Sequence, residues 1–200
     1  MQLIMSPASP FVRMVRVMIR ETGQVDDVEE VQIQTTPLKS ADQALAGNPV
    51  GRIPSLIRPD GPSLYDSRVI TRYLNDRAKA NLYPERDLWD VLTLEATGTE
   101  IMASGVNISY EMRLREEAKY SHEWIDAQWN KVMMGCTAIQ NRWMAHLNGP
   151  LNMGQISVAC ALGYLDFRHD ARNWRQGHDT LAAWLTEFEK RDSMVATRPG

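Results

Sequence analysis

The stretch that decides the fold runs from Asn48 to Leu56 and reads NPVGRIPSL. Pro49 and Gly51 mark a loop, and a second proline, Pro54, stands just before the apolar pair at positions 56 and 57. Proline lacks the backbone N–H that a sheet needs, so within sheets it occurs at the first residue of a strand or on an edge. The pattern therefore predicts a loop that leads into a short strand.

The peptide bond between Ile53 and Pro54 is of the one type that adopts the cis form at small cost. A cis bond here would bend the chain sharply and leave the backbone N–H and C=O of Ile53 facing outward. A backbone pair exposed in this way binds an extended peptide as one more strand would. The sequence thus predicts a strand end that binds a peptide.

A helix start follows ten residues after this strand. Asp66 and Ser67, residue types that helix starts prefer, precede apolar residues at helical spacing, among them Ile70 and Leu74. The unpaired N–H groups and positive dipole of a helix start favour a bound carboxylate. A peptide-binding strand end beside such a helix start predicts a site for a small peptide.

This combination resembles the glutathione-binding half of the glutathione S-transferases, which carry a cis-proline and a Glu/Asp-Ser pair. Carried over by position, the resemblance implies that Ile53, held before Pro54, pairs with the cysteinyl backbone of glutathione. It implies that Asp66 and Ser67 hold the γ-glutamyl end. Each feature alone also fits a proline-led strand or a capped helix, and it is their order together that favours the family.

The element order around this site is typical of a thioredoxin-like domain. We predict a strand at 2–5, a helix from Pro10 to Gly23, a strand at 28–34, a short helix at 41–45, two strands around the site and a helix to about 78. This α/β thioredoxin-like domain is predicted to cover residues 1–79, with a linker at 80–86.

The rest of the chain, 87–200, is predicted to form an all-α helical domain. The predicted helices cover 88–106, with a continuation over 112–118 left open, then 121–147, a helix from Ser157, and 181–188. The family usually has a Ser/Thr-x-x-Asp capping box in this half. Ser157 fits the cap and Ile156 the hydrophobic staple, whereas Cys160 replaces the acid, which predicts a weakened box.

Composition limits the class of protein. Of the 200 residues, 44% are apolar and 24% charged, which is usual for a soluble globular protein. The net charge of −3 gives no reason to expect nucleic acid or a membrane surface as a partner. The sequence shows no membrane span, no signal peptide and no disulfide framework, so we expect a cytoplasmic protein.

The predicted chemistry rests on the thiol of glutathione, which is a good nucleophile only as the thiolate. A helix start with one donated hydrogen bond stabilises a thiolate. Ser9 lies at the start of the first predicted helix and is our candidate donor. Ser6 is the competing hydroxyl, and a backbone N–H near Phe11 is a further donor.

Residues 9–12, SPFV, resemble the Cys-Pro-Tyr/Phe-Cys/Val turn of glutaredoxins and omega-type transferases, with Ser9 in place of the cysteine. No cysteine occurs in residues 1–135, so disulfide chemistry by a protein thiol is not expected at this turn. Serine favours glutathione conjugation. The alternative that Ser9 is only a helix cap stays open.

Other residues are weaker candidates. Lys39 lies where related proteins send a basic residue to the glycyl carboxylate, although a solvated lysine is the simpler reading. For Arg13 and Arg16, salt bridges at the surface or between domains are favoured over a place in the site. Cys136 and Cys160 fit buried apolar positions. The four histidines show no paired metal spacing, so no metal is expected.

The sequence therefore predicts a glutathione transferase that activates the thiolate for addition to a hydrophobic electrophile bound between the domains. Glutathione is the co-substrate, and the resemblance implies a homodimer. Two alternatives remain: a binding or interaction module without turnover, and a glutathione-dependent peroxidase, isomerase or dehalogenase. Four residues are either pocket residues for the electrophile or ordinary core: Tyr110, Met112, Trp124 and Trp129.

Overall fold

The computed structural model describes residues 1–199 and begins with the buried strand β1, Gln2–Met5. This strand is the centre of a sheet of order β2-β1-β3, in which β2 is Glu29–Gln32 and β3 is Ser55–Ile57. β2 runs parallel to β1 and β3 runs antiparallel to it. The small mixed sheet and its helices form the predicted thioredoxin-like fold.

Of the two strands predicted around the site, the second does not form as a strand. Only Leu64 pairs with the sheet, through a single antiparallel bridge to Leu56. Leu64 exchanges both backbone hydrogen bonds with Leu56, each 2.9 Å long, and no longer ladder forms there. Pro59 and Pro62 flank the intervening turn. Because a proline has no N–H to donate, these residues prevent the returning segment from pairing over a greater length.

Nine α-helices account for most of the remaining described residues. In chain order they are α1 (Pro10–Glu21), α2 (Asp42–Gly47), α3 (Ser67–Arg77), α4 (Leu88–Leu114), α5 (His122–Arg142), α6 (Met144–Leu147), α7 (Met153–His169), α8 (Asp179–Phe188) and α9 (Asp192–Val195). Across residues 1–199, none of them combines the length and the apolar character needed to cross a membrane.

The chain divides into two units. One contains Met1–Tyr83 together with the segment that begins at Arg191, and the other is Pro84–Lys190. The predicted division places residues 191–200 in the helical domain, whereas in the structure residues 191–199 pack with the first unit. Four helices, α1, α2, α3 and α9, therefore accompany the sheet, and the second unit is helical.

The last segment is held to α1 by a charged cluster at the end of that helix. Both guanidinium contacts of Arg191 with the Glu21 carboxylate measure 2.8 Å, and the Ser193 hydroxyl donates to the same carboxylate. Met194 is fully buried beside them. The hydrogen bond from Arg191 is the main cause that holds the pKa of Glu21 below its ordinary value of 4.5.

We predict that this carboxylate makes the first unit sensitive to acid. Because the folded-state pKa of Glu21 is lowered, its contribution is complete above its ordinary pKa and is lost as the pH falls through the folded-state value. Glu21→Gln is expected to lower the free energy of unfolding by about 1 kcal/mol at pH 7. Urea denaturation at decreasing pH should show this difference shrinking towards pH 3; a difference independent of pH would contradict the prediction.

The second unit is built on the contact between α4 and α7. The Ser157 hydroxyl donates to the carbonyl of Glu95 at 2.9 Å, and the Tyr164 hydroxyl donates to the Ser109 hydroxyl at 2.9 Å. The residue numbers of both contacts increase along α4 and along α7, so these two helices run in the same direction. Every residue from Met153 to Leu165 is buried, which explains the long apolar run at that point of the sequence.

Two helix boundaries in this unit correct the prediction. α7 begins at Met153 rather than at Ser157, and Asn152 is its N-cap. The side chains of Asn152 and Gln155 form a complete capping box, with backbone contacts of 3.2 and 3.3 Å. Ser157 is therefore inside the helix, and the predicted weakening at Cys160 does not arise. α4 is one continuous helix from Leu88 to Leu114.

Gly98 on α4 gives a stability prediction. A Cβ at this position would lie 2.8 Å from the backbone carbonyl carbon of Ser157 and 3.0 Å from the Val158 nitrogen. Backbone cannot move aside cheaply, so Gly98→Ala is expected to destabilise the protein by about 1–3 kcal/mol despite the better helix propensity of alanine. Chemical denaturation measures the change.

Gly135→Ala is the matched control for this substitution. Gly135 is also inside a helix, but its added Cβ would meet only side-chain atoms of Ile101, at 2.9 Å, and no backbone. Because a side chain shifts more easily than backbone, this variant is expected to lose less stability than Gly98→Ala. Equal stability of the two variants would contradict the prediction, because it would show that the close approach of α7 to Gly98 does not exclude a side chain there.

Candidate glutathione site

The loop before Pro54 is held by one buried side chain, Asn48. Its Oδ1 accepts from the N–H of Val50 at 3.1 Å, and its Nδ2 donates to the carbonyl of Arg52 at 3.1 Å. The N–H of Gly51 donates to the Asn48 carbonyl at 2.8 Å, and Gly51 has φ +65°, a conformation that favours glycine. The loop that leads to the strand end is therefore well ordered by its own residues.

The strand end itself leaves a backbone pair unused. The Ile53-Pro54 bond is cis, and within residues 1–199 neither the N–H nor the C=O of Ile53 has a hydrogen-bond partner. The Ile53 side chain packs against a cluster formed by Ile4, Ile33 and Ala44. The side chain of Ile53 thus packs in the core, while its backbone N–H and C=O remain available to bind a ligand.

Asp66 is the N-cap of α3. Its Oδ1 accepts from the N–H of Arg68 at 3.1 Å, and its Oδ2 lies 3.5 Å from the Arg68 guanidinium. Ser67 is buried, and neither its N–H nor its hydroxyl has a hydrogen-bond partner in the part of the chain that the structure describes. This helix start offers an exposed carboxylate, a free N–H and a free hydroxyl side by side.

The sheet brings these two features together. Leu56 pairs antiparallel with Leu64. Ile53 lies three residues before Leu56 and Asp66 two residues after Leu64, so both lie at the same end of this pair. Ser55 is paired with Ile4 on the other side, which places residues 53 and 54 beside the loop that leaves β1. The strand end, the start of α3 and the loop towards α1 therefore belong to one edge of the first unit.

Ser9 is the N-cap of α1, as the sequence predicts. Its Oγ accepts from the N–H of Val12 at 3.4 Å, and its carbonyl accepts from the N–H of Arg13 at 3.0 Å. The hydroxyl proton of Ser9 and the N–H of Phe11 have no acceptor among residues 1–199. Two hydrogen-bond donors are thus unused at the positive end of this helix.

The remaining predicted residues take different positions. Ser6 is half-buried, and its carbonyl accepts from the N–H of Ser9 at 3.1 Å, so both hydroxyl residues belong to the same turn. Lys39 is exposed in a turn closed by two backbone hydrogen bonds with Thr36. The Lys39 ammonium has no ion-pair partner among the described side chains, and no contact joins it to the residues above.

Arg13 does not fit the prediction. It is 3% exposed, and its Nη2 donates to the backbone carbonyl of Met194 at 3.2 Å instead of forming a salt bridge. Arg16 does form one, with Glu30 of the same unit at 2.9 Å. The sequence gives no local signal for the buried arginine, because its partner comes from the last segment of the chain.

Two histidines of the second unit, His169 and His178, and both cysteines form part of its interior. His169 Nε2 donates to the Gly105 carbonyl at 2.8 Å and lies 3.1 Å from the Ser109 hydroxyl, and burial lowers the pKa of this histidine. Cys136 is buried, which raises the pKa of its thiol to about 12. Tyr110, Met112 and Trp124 are exposed and Trp129 is half-buried.

Comparison with known proteins identifies the family. The models of the N-terminal and C-terminal domains of glutathione S-transferase match residues 8–77 and 123–187. A glutathione transferase family member from Pseudomonas fluorescens Pf-5, crystallised with bound glutathione, is 42% identical, with a TM-score of 0.97 over 100% of this chain and 98% of that one. The chain belongs to the glutathione S-transferase superfamily.

Other members of the superfamily agree with this assignment. A glutathione S-transferase from Methylobacillus flagellatus KT with glutathione bound is 32% identical, with a TM-score of 0.85 over 100% of this chain and 99% of that one. The uncharacterized GST-like protein YibF of Escherichia coli K12 is 26% identical over 204 residues, covering 100% of this chain and 98% of its own. The similarity therefore extends over both units of this member of the superfamily.

Proposed function

We propose that this protein is a glutathione transferase that binds glutathione on the first unit and activates its thiol for attack on an electrophilic small molecule. The proposal rests on the hydrogen bonding of the Ser9 hydroxyl. Its Oγ already accepts a hydrogen bond from Val12, which orients the side chain, while its own proton has no acceptor among residues 1–199. A thiolate is the acceptor that this proton would find at the start of α1.

The backbone and carboxylate groups of the site match the rest of the tripeptide. The free N–H and C=O of Ile53 would pair with the cysteinyl residue, as an added strand does. Asp66 would accept from the γ-glutamyl ammonium, and the N–H and hydroxyl of Ser67 would donate to its carboxylate. Lys39 is proposed as the partner of the glycyl carboxylate.

In the proposed reaction the sulfur of glutathione is the nucleophile. The thiol proton leaves to solvent, and the hydroxyl of Ser9 and the N–H of Phe11 donate to the resulting thiolate. The sulfur electron pair then forms a C–S bond. In a substitution the attacked carbon releases its leaving group with the bonding electron pair, and in an addition the π electrons of its double bond move to the neighbouring carbon, which takes up a proton from solvent. Neither cysteine of the chain takes part, since both are buried in the second unit.

A related structure favours conjugation. The Pseudomonas fluorescens Pf-5 family member was also crystallised with S-(propanoic acid)-glutathione and is 41% identical to this chain, with a TM-score of 0.92 over the whole of both chains. A ligand with a carbon substituent on sulfur is the kind of product that thiolate addition gives. We infer that this chain forms thioethers of glutathione.

Three finer features complete the proposal. We propose a hydrophobic electrophile, a homodimer and a cytoplasmic location. The helical unit exposes Tyr110 and Met112, which supports an apolar substrate, and large apolar side chains such as Val50 and Trp89 are 68% and 77% exposed, which supports association. The two cysteines are buried and form no disulfide with each other, as expected in a reducing compartment.

A conjugation screen tests the proposal. Purified protein would be incubated with glutathione and a panel of α,β-unsaturated carbonyl compounds, alkyl halides and hydroperoxides, and the products analysed by mass spectrometry. We expect thioether products to form faster than in the absence of protein. Formation of glutathione disulfide from hydroperoxides alone would indicate a peroxidase, and binding without any product would indicate a binding module.

A further inference from the structure

A hydrogen-bonded cluster inside the second unit centres on His169, the last residue of α7, which is 5% exposed. Its Nε2 donates to the carbonyl of Gly105 on α4 at 2.8 Å and lies 3.1 Å from the hydroxyl of Ser109. The Ser109 hydroxyl donates to the same carbonyl at 3.1 Å and accepts from the Tyr164 hydroxyl at 2.9 Å. These four residues, the His169 cluster, join the C-terminal part of α4 to the end of α7.

The neutral form of His169 fits this cluster. A carbonyl can only accept, so Nε2 carries the proton and Nδ1 is the unprotonated nitrogen of the neutral ring. Nδ1 has no hydrogen-bond partner among residues 1–199. A second proton would therefore enter at Nδ1, and it would place a positive charge on a nearly buried ring without supplying a new hydrogen bond within the described chain.

Three arginines lie around the cluster. The ring of Trp129, on α5, lies 6.1 Å from the imidazole of His169, and the guanidinium of Arg172, in the turn after α7, lies 5.5 Å from that indole. Arg168 directly precedes His169, and α4 adds Arg113 one turn beyond the cluster. Burial lowers the pKa of His169, and the charges of Arg172 and Arg168 lower it further, against the opposing effect of the carbonyl that accepts from it.

The carboxylates of the same region do not compensate a charge on the imidazole. Asp126 of α5 lies 3.6 Å from the Arg172 guanidinium, and 71% of its side chain is accessible. Asp170, the next residue after His169, is exposed. Neither forms an ion pair with His169 in the part of the chain that the structure describes. Because burying an unpaired charge is unfavourable, protonation of this ring would destabilise the cluster.

We propose that the His169 cluster is a pH-sensitive contact, which holds the C-terminal part of α4 against α7 while the imidazole is neutral and loosens it when the imidazole is protonated. Tyr110 and Met112, the exposed apolar side chains proposed for the substrate, lie on that part of α4. Acidification would therefore loosen these side chains and leave the glutathione site on the first unit unchanged. The contact itself does not depend on the proposed function; only this consequence does.

The direction of the pH dependence follows from the preference for the neutral ring. Because the folded-state pKa of His169 is below its ordinary value of 6.5, its contribution to stability is complete above that value and is lost as the pH falls through the folded-state value. One proton taken up on unfolding lowers the folding constant by at most about tenfold per pH unit. This pH range lies above the one expected for Glu21, whose ordinary pKa is 4.5.

Tryptophan fluorescence tests the contact in the second unit alone. All six tryptophans lie within Pro84–Lys190, so urea denaturation followed by their fluorescence reports on this unit. Between about pH 7.5 and 5.5, we expect the folding constant of the wild type to fall several-fold more than that of His169→Gln. The glutamine amide can donate to the Gly105 carbonyl but cannot take up a proton. His122→Gln, at an exposed histidine, is the matched control and should keep the wild-type pH dependence.

Two further measurements separate protonation from packing. Tyr164→Phe removes a hydroxyl of the cluster but keeps the imidazole, so it is expected to lower the folding constant by a similar factor at both pH values. If His169→Gln does not fold, proton NMR titration of the wild-type histidines takes its place. His169 should then take up its proton at a lower pH than His122, and the amides of residues 105–114 should lose protection from hydrogen exchange as it does so.

Two results would overturn the proposal. One is a wild-type pH dependence in a folded His169→Gln variant, and the other is a His169 that titrates together with His122 while residues 105–114 stay protected. A wild type that binds no glutathione is distinguishable from both results, because it removes the proposed function and leaves the pH dependence of the second unit as it is.

Discussion

Replacing Ser9 with alanine is expected to lower kcat/KM for glutathione conjugation by roughly 10²- to 10³-fold, the usual effect of removing one donor to a developing or stabilised anion. The affinity for glutathione should change far less, because the strand end at Ile53 and the start of α3 are untouched. Steady-state kinetics and a binding titration together measure the two effects. The thiol pKa of bound glutathione should rise in the same variant.

Controls separate the hydroxyl of Ser9 from its capping role. Loss of an N-cap costs about 1 kcal/mol, whereas glycine at this position costs only a few tenths of that. Ser9→Gly should therefore lose activity while remaining nearly as stable as the wild type, and Ser9→Thr should retain activity. Should Ser6→Ala abolish conjugation while Ser9→Ala preserves it, Ser6 would be the donor and Ser9 only a cap.

The second large effect is expected at Asp66, where substitution by alanine should weaken glutathione binding by roughly 10- to 100-fold. The carboxylate is exposed, with 58% of its side chain accessible, so solvent screening keeps the effect at the lower end of what a charged hydrogen bond provides. Isothermal titration calorimetry measures the loss. The affinity should also fall at high ionic strength.

Asp66→Asn is the matched variant for this experiment. Asparagine caps a helix about as well as aspartate, so it preserves the start of α3 while removing the charge. We expect Asp66→Asn to bind glutathione nearly as poorly as Asp66→Ala, and only the alanine variant to unfold more easily. Wild-type affinity in Asp66→Asn would show that Asp66 serves the helix and not the ligand.

Local sequence signals were sufficient for the geometry of the candidate site. Prolines restrict the backbone wherever they occur, and capping residues satisfy N–H groups within the next turn, so both leave a readable pattern. The cis bond at Ile53-Pro54 and the helix starts at Ser9 and Asp66 all depend on neighbours in the sequence. The family resemblance then connected these separate patterns.

Features that depend on distant partners were not predictable in the same way. The burial of Arg13 depends on Met194, 181 residues further along the chain, and no periodicity on α1 indicates it. The predicted start of α7 is too late because the sequence pattern favours Ser157 as its cap. In the folded chain its hydroxyl is used by the carbonyl of Glu95, while Asn152 and Gln155 form the box.

The most direct test of the account is a calorimetric titration of the purified protein with glutathione, with Asp66→Ala as the control. We predict saturable binding of one glutathione per chain, and binding greatly weakened by the substitution. A folded wild-type protein that releases no heat of binding up to millimolar glutathione would contradict the central claim. In that case Ser9 and Asp66 would be helix caps, and a role in protein interaction would become the better explanation of the fold.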